Sequence, residues 1–217
     1  MSDIWSKLQA AFPVHYRSGN ILLINADCME VMQHIRDGEF DLSCVDPPYG
    51  IDLASKSFRG RQAKKSWDEC VPDDLYFSEL MRVSKDQIIW GGNYFDLPPS
   101  KGFLIWDKMQ PFDFTSAMCE MAWSSIQKPA KMFRLHVVTA ETNKIHPTQK
   151  PVKLYQWLLS NYAKPGDRIL DTHLGSGSSA IAAHYSGFDF VGIELDVDYY
   201  NAAVERFGIE TSQQALF

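Results

Sequence analysis

Residues 168–195, RILDTHLGSGSSAIAAHYSGFDFVGIEL, contain the pattern that decides the fold of this chain. RILDTHL (168–174) has the apolar character of a buried strand, and the turn GSG (175–177) then opens a helical stretch, SSAIAAHYSG. A second apolar strand, FDFVGIEL (188–195), carries Glu194 near its end. Glycines in such a turn let the backbone approach a ligand closely, and an acid at the second strand end can accept from ribose hydroxyls. The stretch therefore predicts a unit that binds a nucleoside-containing cofactor.

Strands and helices alternate along the rest of the chain. Apolar runs that predict strands lie at 21–25, 40–46, 87–92, 102–108 and 119–125. Helical patterns lie at 29–35, 74–85, 151–163 and 197–208. This alternation predicts the α/β fold class, a mostly parallel sheet with helices on both faces. The length of 217 residues suits a single domain that spans 1–217.

The sequence Asp46-Pro47-Pro48-Tyr49 follows the apolar run FDLSCV and carries the most specific chemistry. Two prolines stiffen the backbone and remove two N–H donors, so carbonyl oxygens and the Asp46 carboxylate remain as acceptors beside an aromatic ring. This set suits a planar ligand with an amine, because the acceptors hold the N–H hydrogens while Tyr49 stacks on the ring face. An exocyclic amine of a nucleobase fits. A proline turn capped by Asp46 is the alternative without chemistry.

Asp171 comes just before the glycine turn and separates two kinds of cofactor. A carboxylate there would repel a pyrophosphate, which argues against a dinucleotide-dependent dehydrogenase, but it can bind a cationic ligand. S-Adenosylmethionine carries a sulfonium and an ammonium group and fits this requirement. An Asp171 that only forms hydrogen bonds at a strand end is the alternative.

The net charge of −6 excludes a protein that is basic overall, but positive charge is concentrated in one segment after DPPYG. No acid lies between Asp52 and Asp68, and the basic residues of this segment are Lys56, Arg59, Arg61, Lys64 and Lys65. We expect this segment to be a loop that contacts DNA phosphates. A solvated surface loop is the alternative.

Four widely spaced cysteines form no Cys-x-x-Cys pair, which indicates reduced thiols and no metal site. The N-terminal residues lack the apolar core of a signal peptide, and no apolar run approaches the length that spans a membrane. We therefore expect a cytoplasmic protein without membrane contact.

Three motifs occur in the order DPPYG (46–50), HPTQKP (146–151) and DTHLGSGSS (171–179). In this combination the chain resembles the β-class amino-DNA methyltransferases, which methylate adenine N6 or cytosine N4. The stretches NADCMEVMQHI, GGNYF, GFLIWDK, EMAW and FVGIELDVDYY are also similar to the family, so the resemblance covers nearly the whole chain. It implies a Rossmann-like methyltransferase fold, with a seven-stranded sheet that has one antiparallel strand, and S-adenosylmethionine as methyl donor.

The resemblance also implies roles for particular residues. Asp46, Pro47, Pro48 and Tyr49 would be catalytic and would act on a base flipped out of the DNA. The residues implied to bind the cofactor are Asp27, Cys28, Asp46, Thr148, Lys150, Asp171, His173, Gly175, Ser176, Gly177 and Glu194. His173 stands where the family usually has a phenylalanine. Asn93, Asp107 and Glu120 lie in stretches similar to the family, but their spacing assigns them no role.

The implied activity is site-specific methylation of adenine N6 in DNA, typical of bacterial or phage restriction-modification enzymes. In the family an aspartate before Pro-Pro-Tyr accompanies adenine more often than cytosine. Methylation of cytosine N4, methylation of an RNA or a protein amide, and a DNA-binding relative without activity are the alternatives. We also expect a homodimer, as is common in the class, and a small target-recognition insertion within about 52–145.

The last residues of the chain form a polar stub that ends in two apolar side chains. Gln213, Leu216 and Phe217 resemble the short peptide with which proteins dock on bacterial sliding clamps. We therefore expect a sliding clamp as a partner. Packing of these side chains on the domain, or fraying of the tail, is the alternative.

Overall fold

The structure is a computed structural model that describes residues 4–50, 71–111, 117–136, 145–146 and 148–212. Two predictions lie outside the described residues. They concern the DNA-contacting residues Lys56, Arg59, Arg61, Lys64 and Lys65 and the clamp-binding residues Gln213, Leu216 and Phe217.

A single mixed sheet of nine strands organises the described residues. The strands are β1 (His15–Ser18), β2 (Ile21–Asn25), β3 (Phe40–Val45), β4 (Ser84–Trp90), β5 (Phe103–Asp107), β6 (Cys119–Ser124), β7 (Lys131–Arg134), β8 (Arg168–Asp171) and β9 (Asp189–Glu194). The helices are α1 (Ile4–Ala11), α2 (Cys28–Gln33), α3 (Asp74–Val83), α4 (Val152–Tyr162), α5 (Ser178–Ser186) and α6 (Val197–Ser212). Across the sheet the strand order is β1-β2-β9-β8-β3-β4-β6-β5-β7.

Most strands of the sheet run in one direction. The five strands β2, β9, β8, β3 and β4 pair in parallel. β6 is antiparallel to both β4 and β5, and β7 is parallel to β5. β1 is antiparallel to β2, so β1 and β6 are the two strands of opposite direction.

The α/β class is confirmed, but the expected count of seven strands with one antiparallel strand is wrong. The described part of the chain has nine strands. β1 and β7, which the sequence did not reveal, have four residues each, and none of these residues is fully buried. Short edge strands of mixed polarity lack the apolar run or clean alternation by which strands are recognised in a sequence.

Helices cover both faces of the sheet, and each face has its own apolar core. One core joins the sheet to α4, α5 and α6 through residues such as Leu158, Ile181 and Phe207. The other joins it to α1, α2 and α3 through Leu8, Met32 and Leu80. Strands between two helical layers are buried on both sides, which explains the continuous apolar runs of β2, β3 and β9.

Polar side chains fix the starts of two helices. Asp27 caps α2 and accepts a hydrogen bond from Met29 N at 2.7 Å. Asp73 caps α3 and accepts from Tyr76 N at 2.9 Å. Both caps follow the rule that short polar side chains bind the free N–H groups of a first helical turn.

The parallel strands bring the predicted motifs to one edge. Asp46 follows β3, the glycine turn follows β8, and Glu194 ends β9. Since β9, β8 and β3 are neighbours and parallel, their carboxyl ends meet at the edge where open α/β sheets bind ligands.

Two further predictions concern the insertion within 52–145 and contact with a membrane. Among the described residues of 52–145, α3 and β4 to β7 belong to the sheet and its helical layer, and a target-recognition insertion in this range stays a prediction. Among the described residues, no helix combines the length and the apolar character needed to cross a membrane.

Candidate active site

A cavity at the carboxyl edge of the sheet brings the three predicted motifs together. It contains about 530 Å³ of empty space, part of which is open to solvent. Its lining residues are Asp46, Pro48, His146, Thr148, Gln149, Lys150, Tyr155, His173, Leu174, Gly175, Ser176, Ser178 and Glu194. Residues from DPPY, from HPTQKP and from the glycine turn thus face one space.

Some predicted residues lie outside this lining. Pro47, Tyr49, Asp27, Cys28, Asp171 and Gly177 do not line the cavity. Asp27 is exposed and serves as the cap of α2. Cys28 is a free thiol whose pKa burial raises to about 12, so it stays protonated at neutral pH.

Both carboxylate oxygens of Asp46 already have partners. The Tyr49 hydroxyl donates to Oδ1 at 2.5 Å, and the Lys150 ammonium donates to Oδ2. Burial raises the pKa of the Asp46 carboxyl, the Lys150 ammonium opposes this shift, and the nearby Glu120 adds to it. An incoming N–H group therefore competes with a hydroxyl and a cation for Asp46.

Lys150 connects Asp46 to a second acid, Glu120 of β6. Its Nζ lies 3.0 Å from Glu120 Oε2, and Lys108 lies 2.6 Å from Glu120 Oε1. Burial acts to lower the pKa of Lys150, but Asp46 and Glu120 outweigh it and the pKa is raised. Burial acts to raise the pKa of Glu120, and the ammonium groups of Lys150 and Lys108 reverse this and hold it at about 2. Lys150 thus connects the carboxylates of Asp46 and Glu120.

Sequence reasoning assigned no role to Glu120. The signal that could have found it is the cross-strand pairing of the predicted strands β5 and β6, in which Trp106 faces Glu120. That pairing sets Glu120 close to Lys108, the residue after β5. The contact with Lys150, however, joins segments that are far apart in the chain, and only the folded structure reveals it.

Tyr49 is held by a stack of aromatic rings. Its ring lies 5.0 Å from that of Tyr94 with an angle of 13° between the planes. Gly91 has a φ of +70°, and a Cβ atom at this position would lie 2.2 Å from Tyr49 Cε1. Only glycine both adopts this backbone conformation readily and leaves room for the ring. The GGNYF stretch thus shapes the site by packing against DPPY.

The glycine turn is held by acids on either side. Gly175 and Gly177 have positive φ angles of 53° and 76°. Glu194 Oε2 accepts from Gly175 N at 2.8 Å, which places the acid of β9 against the turn after β8. Glu194 also lines the cavity.

Asp171 is buried under the turn. It accepts from Ser179 Oγ at 2.6 Å and from His173 N at 3.0 Å, so it joins the two ends of the turn. Burial raises the pKa of its carboxyl to about 7. These contacts are those of the alternative in which Asp171 forms hydrogen bonds at a strand end.

His173 lines the cavity in a network with two hydroxyl groups. Its Nδ1 lies 3.0 Å from Thr172 Oγ1 and 3.4 Å from the Tyr76 hydroxyl, and these two oxygens are 2.7 Å apart. Burial lowers the pKa of His173 to about 4, so the imidazole is neutral at physiological pH. Tyr76 packs edge-on against the ring at 5.2 Å. The residue that replaces the usual phenylalanine thus has polar partners.

Further hydrogen bonds involve residues of the cavity lining. Thr148 Oγ1 lies 3.1 Å from His146 Nδ1 in the HPTQKP segment. Arg206 of α6, which sequence reasoning missed, donates from one nitrogen to Ser176 O and to Ser178 Oγ, both at 2.9 Å. A buried arginine in a C-terminal helix carries no motif, so nothing in the sequence connects it to the turn.

Among the described residues, no group of three or more His, Cys, Asp or Glu side chains could hold a metal ion.

Comparison with known proteins gives consistent matches. A family model described as DNA methylase, of the N6/N4 type, matches residues 87–205. YubD of Escherichia coli (strain K12), which is named as a methylase, is 26% identical over 209 residues, which cover 84% of this chain and 88% of YubD.

Two solved structures have a similar fold. M1.HpyAVI in complex with SAM has a TM-score of 0.58 and 20% identity, and the match covers 86% of this chain and 99% of that one. The PvuII DNA methyltransferase, described as cytosine-N4-specific, has a TM-score of 0.63 and 14% identity, with 88% of each chain covered.

Proposed function

Because this chain belongs to the N6/N4 DNA methylase family, whose model matches more than half of it, we propose that it methylates adenine N6 in DNA with S-adenosylmethionine as methyl donor. The observation that carries the proposal is the shared cavity. Asp46 of DPPY, the glycine turn and Glu194 line one space, which supports a site where an amine bound at Asp46 meets a nucleoside cofactor bound at the turn. This is the arrangement that transfer between a nucleoside cofactor and a base amine requires.

The residues of the turn fit the proposed cofactor. Glu194 and the backbone of Gly175 and Ser176 would hold its nucleoside part, and Thr148 and His173 face the same space. A neutral His173 adds no positive charge beside a sulfonium, which favours the fit. When bound, S-adenosylmethionine supplies an electrophilic methyl group.

The chain's own residues would prepare the amine. Its nitrogen lone pair is delocalised into the base ring, so the amine is a weak nucleophile. Asp46 and the Pro47 carbonyl accept the two amine hydrogens and draw the nitrogen toward tetrahedral geometry. A negative carboxylate also stabilises the positive charge that develops on the nitrogen. Positioning in a partly dry cavity supplies much of the remaining acceleration.

The target base has to leave the duplex to reach Asp46. We propose that it stacks on Tyr49. Because Tyr94 covers one face of Tyr49, the base either takes the other face or displaces Tyr94. The basic segment with Lys56, Arg59, Arg61, Lys64 and Lys65 is proposed to contact the DNA phosphates.

Adenine is proposed because an aspartate leads the motif, as the resemblance to the β-class enzymes implies. Methylation of cytosine N4 is the second candidate, since the PvuII enzyme, which has a TM-score of 0.63, is described as cytosine-N4-specific. The acceptor chemistry of Asp46 suits both amines. A homodimer and docking on a sliding clamp through the tail are further proposals.

One experiment tests the function and separates the two bases. The protein is incubated with unmethylated bacterial DNA and labelled S-adenosylmethionine, and the DNA is digested to nucleosides that are identified by mass. N6-methyladenine supports the proposal. N4-methylcytosine would show that cytosine is the target base and would leave the proposed mechanism unchanged. No methylated nucleoside on any DNA, with the cofactor still bound in calorimetry, contradicts DNA methylation.

A further inference from the structure

Asp46 is not ready to accept an amine in the state that the structure shows. The Lys150 ammonium donates to its Oδ2 and also lies 3.2 Å from the Tyr49 hydroxyl. A cation at this point withdraws negative charge from the carboxylate. It would also repel a nitrogen that becomes positive during methyl transfer. Asp46 would therefore stabilise this developing charge more strongly with the Lys150 ammonium drawn away from it.

Glu120 offers Lys150 a second carboxylate. Its Oε2 lies 3.0 Å from Lys150 Nζ, yet this buried oxygen accepts no aligned hydrogen bond among the described residues. Lys150 has only 2% of its side chain exposed, so its charge cannot be left to water. A small shift of the ammonium from Asp46 toward Glu120 would satisfy the oxygen and keep the cation paired.

We propose that Glu120 is a positioning residue that draws the Lys150 ammonium away from Asp46 when the target amine binds. This inference rests on the proposed methyl transfer at Asp46. Glu120 touches neither base nor cofactor in this scheme, and it acts through Lys150. Lys108, which holds the other oxygen of Glu120 at 2.6 Å, limits how much negative charge Glu120 can offer to Lys150.

A purely structural ion pair explains the arrangement less well. Charged groups taken out of water lose hydration that their pairing only partly restores, and apolar residues of similar size often stabilise a protein as much. A structural pair would also be expected to have an aligned hydrogen bond at Glu120 Oε2. An ammonium shared unequally between two carboxylates is instead an arrangement that can change.

The test compares full-length variants by single-turnover methyl transfer, with enzyme in excess over DNA, and by calorimetry with S-adenosylmethionine. E120Q removes the charge that attracts Lys150, and we expect its transfer rate to fall roughly tenfold to a hundredfold while the cofactor Kd changes less than about twofold. E120D should recover part of the rate. K108M leaves Glu120 more negative toward Lys150, and its rate should equal or exceed that of the wild type.

A matched control removes a similar buried acid far from the cavity. Glu39 lies at the start of β3 and also has two basic partners, Arg36 and Arg168. Because Glu39 lies at the opposite end of β3 from Asp46, E39Q should keep the wild-type transfer rate even if its melting temperature falls. If E120Q does not fold, E120D and K108M carry the test, and a wild-type rate in E120D together with a K108M rate well below wild type overturns the inference.

The outcomes separate this inference from the proposed function. A wild-type protein that methylates no DNA contradicts both. An active wild type overturns the inference alone in either of two cases. In the first, E120Q stays within about twofold of the wild-type rate or loses rate only through weaker cofactor binding. In the second, K108M loses as much rate as E120Q, which is the result expected of a structural network.

Discussion

Strand β3 (Phe40–Val45) has a cluster of acids and bases at each end, and the two clusters are built differently. Before the strand, Glu39 pairs with Arg36 and Arg168, each at 2.5 Å. After the strand, Asp46 pairs with Lys150, which also contacts Glu120. The first cluster is one acid between two arginines. In the second, a buried lysine lies between two acids, and Lys108 pairs with one of them, Glu120.

The difference indicates which cluster holds the fold and which can change. The side chains of Arg36 and Arg168 are 68% and 38% exposed, and a guanidinium group forms planar, directional contacts with a carboxylate. Lys150 is a compact point charge buried among competing carboxylates, which makes its position depend on what else enters the cavity. We infer that the amino end of β3 serves stability and the carboxyl end serves chemistry.

The strongest way to break this comparison is to change the acid at the carboxyl end. In D46N the side chain loses its negative charge and turns one acceptor into a donor, so it can no longer stabilise a positive nitrogen. We expect kcat to fall on the order of 10²–10³-fold, with unchanged cofactor binding in calorimetry. Methyl transfer to DNA provides the measurement, with E39Q as control. Comparable turnover in D46N would sink the assignment of Asp46.

A smaller effect is expected from replacing the lysine of one cluster by arginine and an arginine of the other by lysine. In K150R the planar guanidinium can grip the Asp46 carboxylate through two hydrogen bonds and hold it. We expect the transfer rate to fall roughly tenfold, because Asp46 is then less available to the amine.

The matched exchange at the other end is R168K. It replaces one partly exposed partner of Glu39, so the rate should stay at the wild-type level and stability should fall by about 1 kcal/mol or less. Single-turnover rates and urea unfolding measure both variants. If R168K lowers the rate as much as K150R does, the two ends of β3 do not differ in the way proposed.

The smallest effect on activity is expected from changing Glu39. Its effect is on the stability of the fold, and that effect depends on pH. The hydrogen bond from Arg36 lowers the pKa of the Glu39 carboxyl, burial opposes this shift, and Arg168 adds to the lowering. A lowered pKa stabilises the fold above the ordinary value of 4.5, and this stability is lost as the pH falls through the pKa of the folded state.

The corresponding variant is E39Q. At pH 7 it should lose about 1–2 kcal/mol of unfolding free energy, and the difference from the wild type should shrink as the pH falls below the ordinary pKa of glutamate. Urea unfolding at several pH values measures the difference. An equal difference at acid and neutral pH would show that the charge of Glu39 contributes nothing, and a lower methylation rate at pH 7 would connect this cluster to the chemistry.

Several features of the site could be predicted because they depend on local sequence. The turn after β8 needs residues with positive φ, and Gly175 and Gly177 provide them. DPPY ends a strand whose apolar run is evident, so its place at the carboxyl edge follows from the parallel sheet. The expectation of seven strands failed at β1 and β7, where four-residue edge strands leave no periodic signal.

Other features depend on contacts between distant segments. Arg206 reaches the turn from the last helix, and Gly91 makes room for Tyr49 although 42 residues separate them. Neither Arg206 nor Gly91 belongs to a motif with a known chemical role. Contacts of this kind are set by how helices and strands pack, and a single sequence does not reveal packing.

By itself the sequence determined the α/β class, the order of the motifs and the chemical groups available, because apolar periodicity, turn residues and side-chain types are local properties. The tertiary structure alone decided the state of those groups. It paired Asp46 with Lys150, brought Glu120 into contact with the same ammonium and buried Asp171 beneath the turn. The physical reason is that charge and hydrogen bonding act through space, over a few ångströms, between residues as far apart along the chain as Asp46 and Lys150.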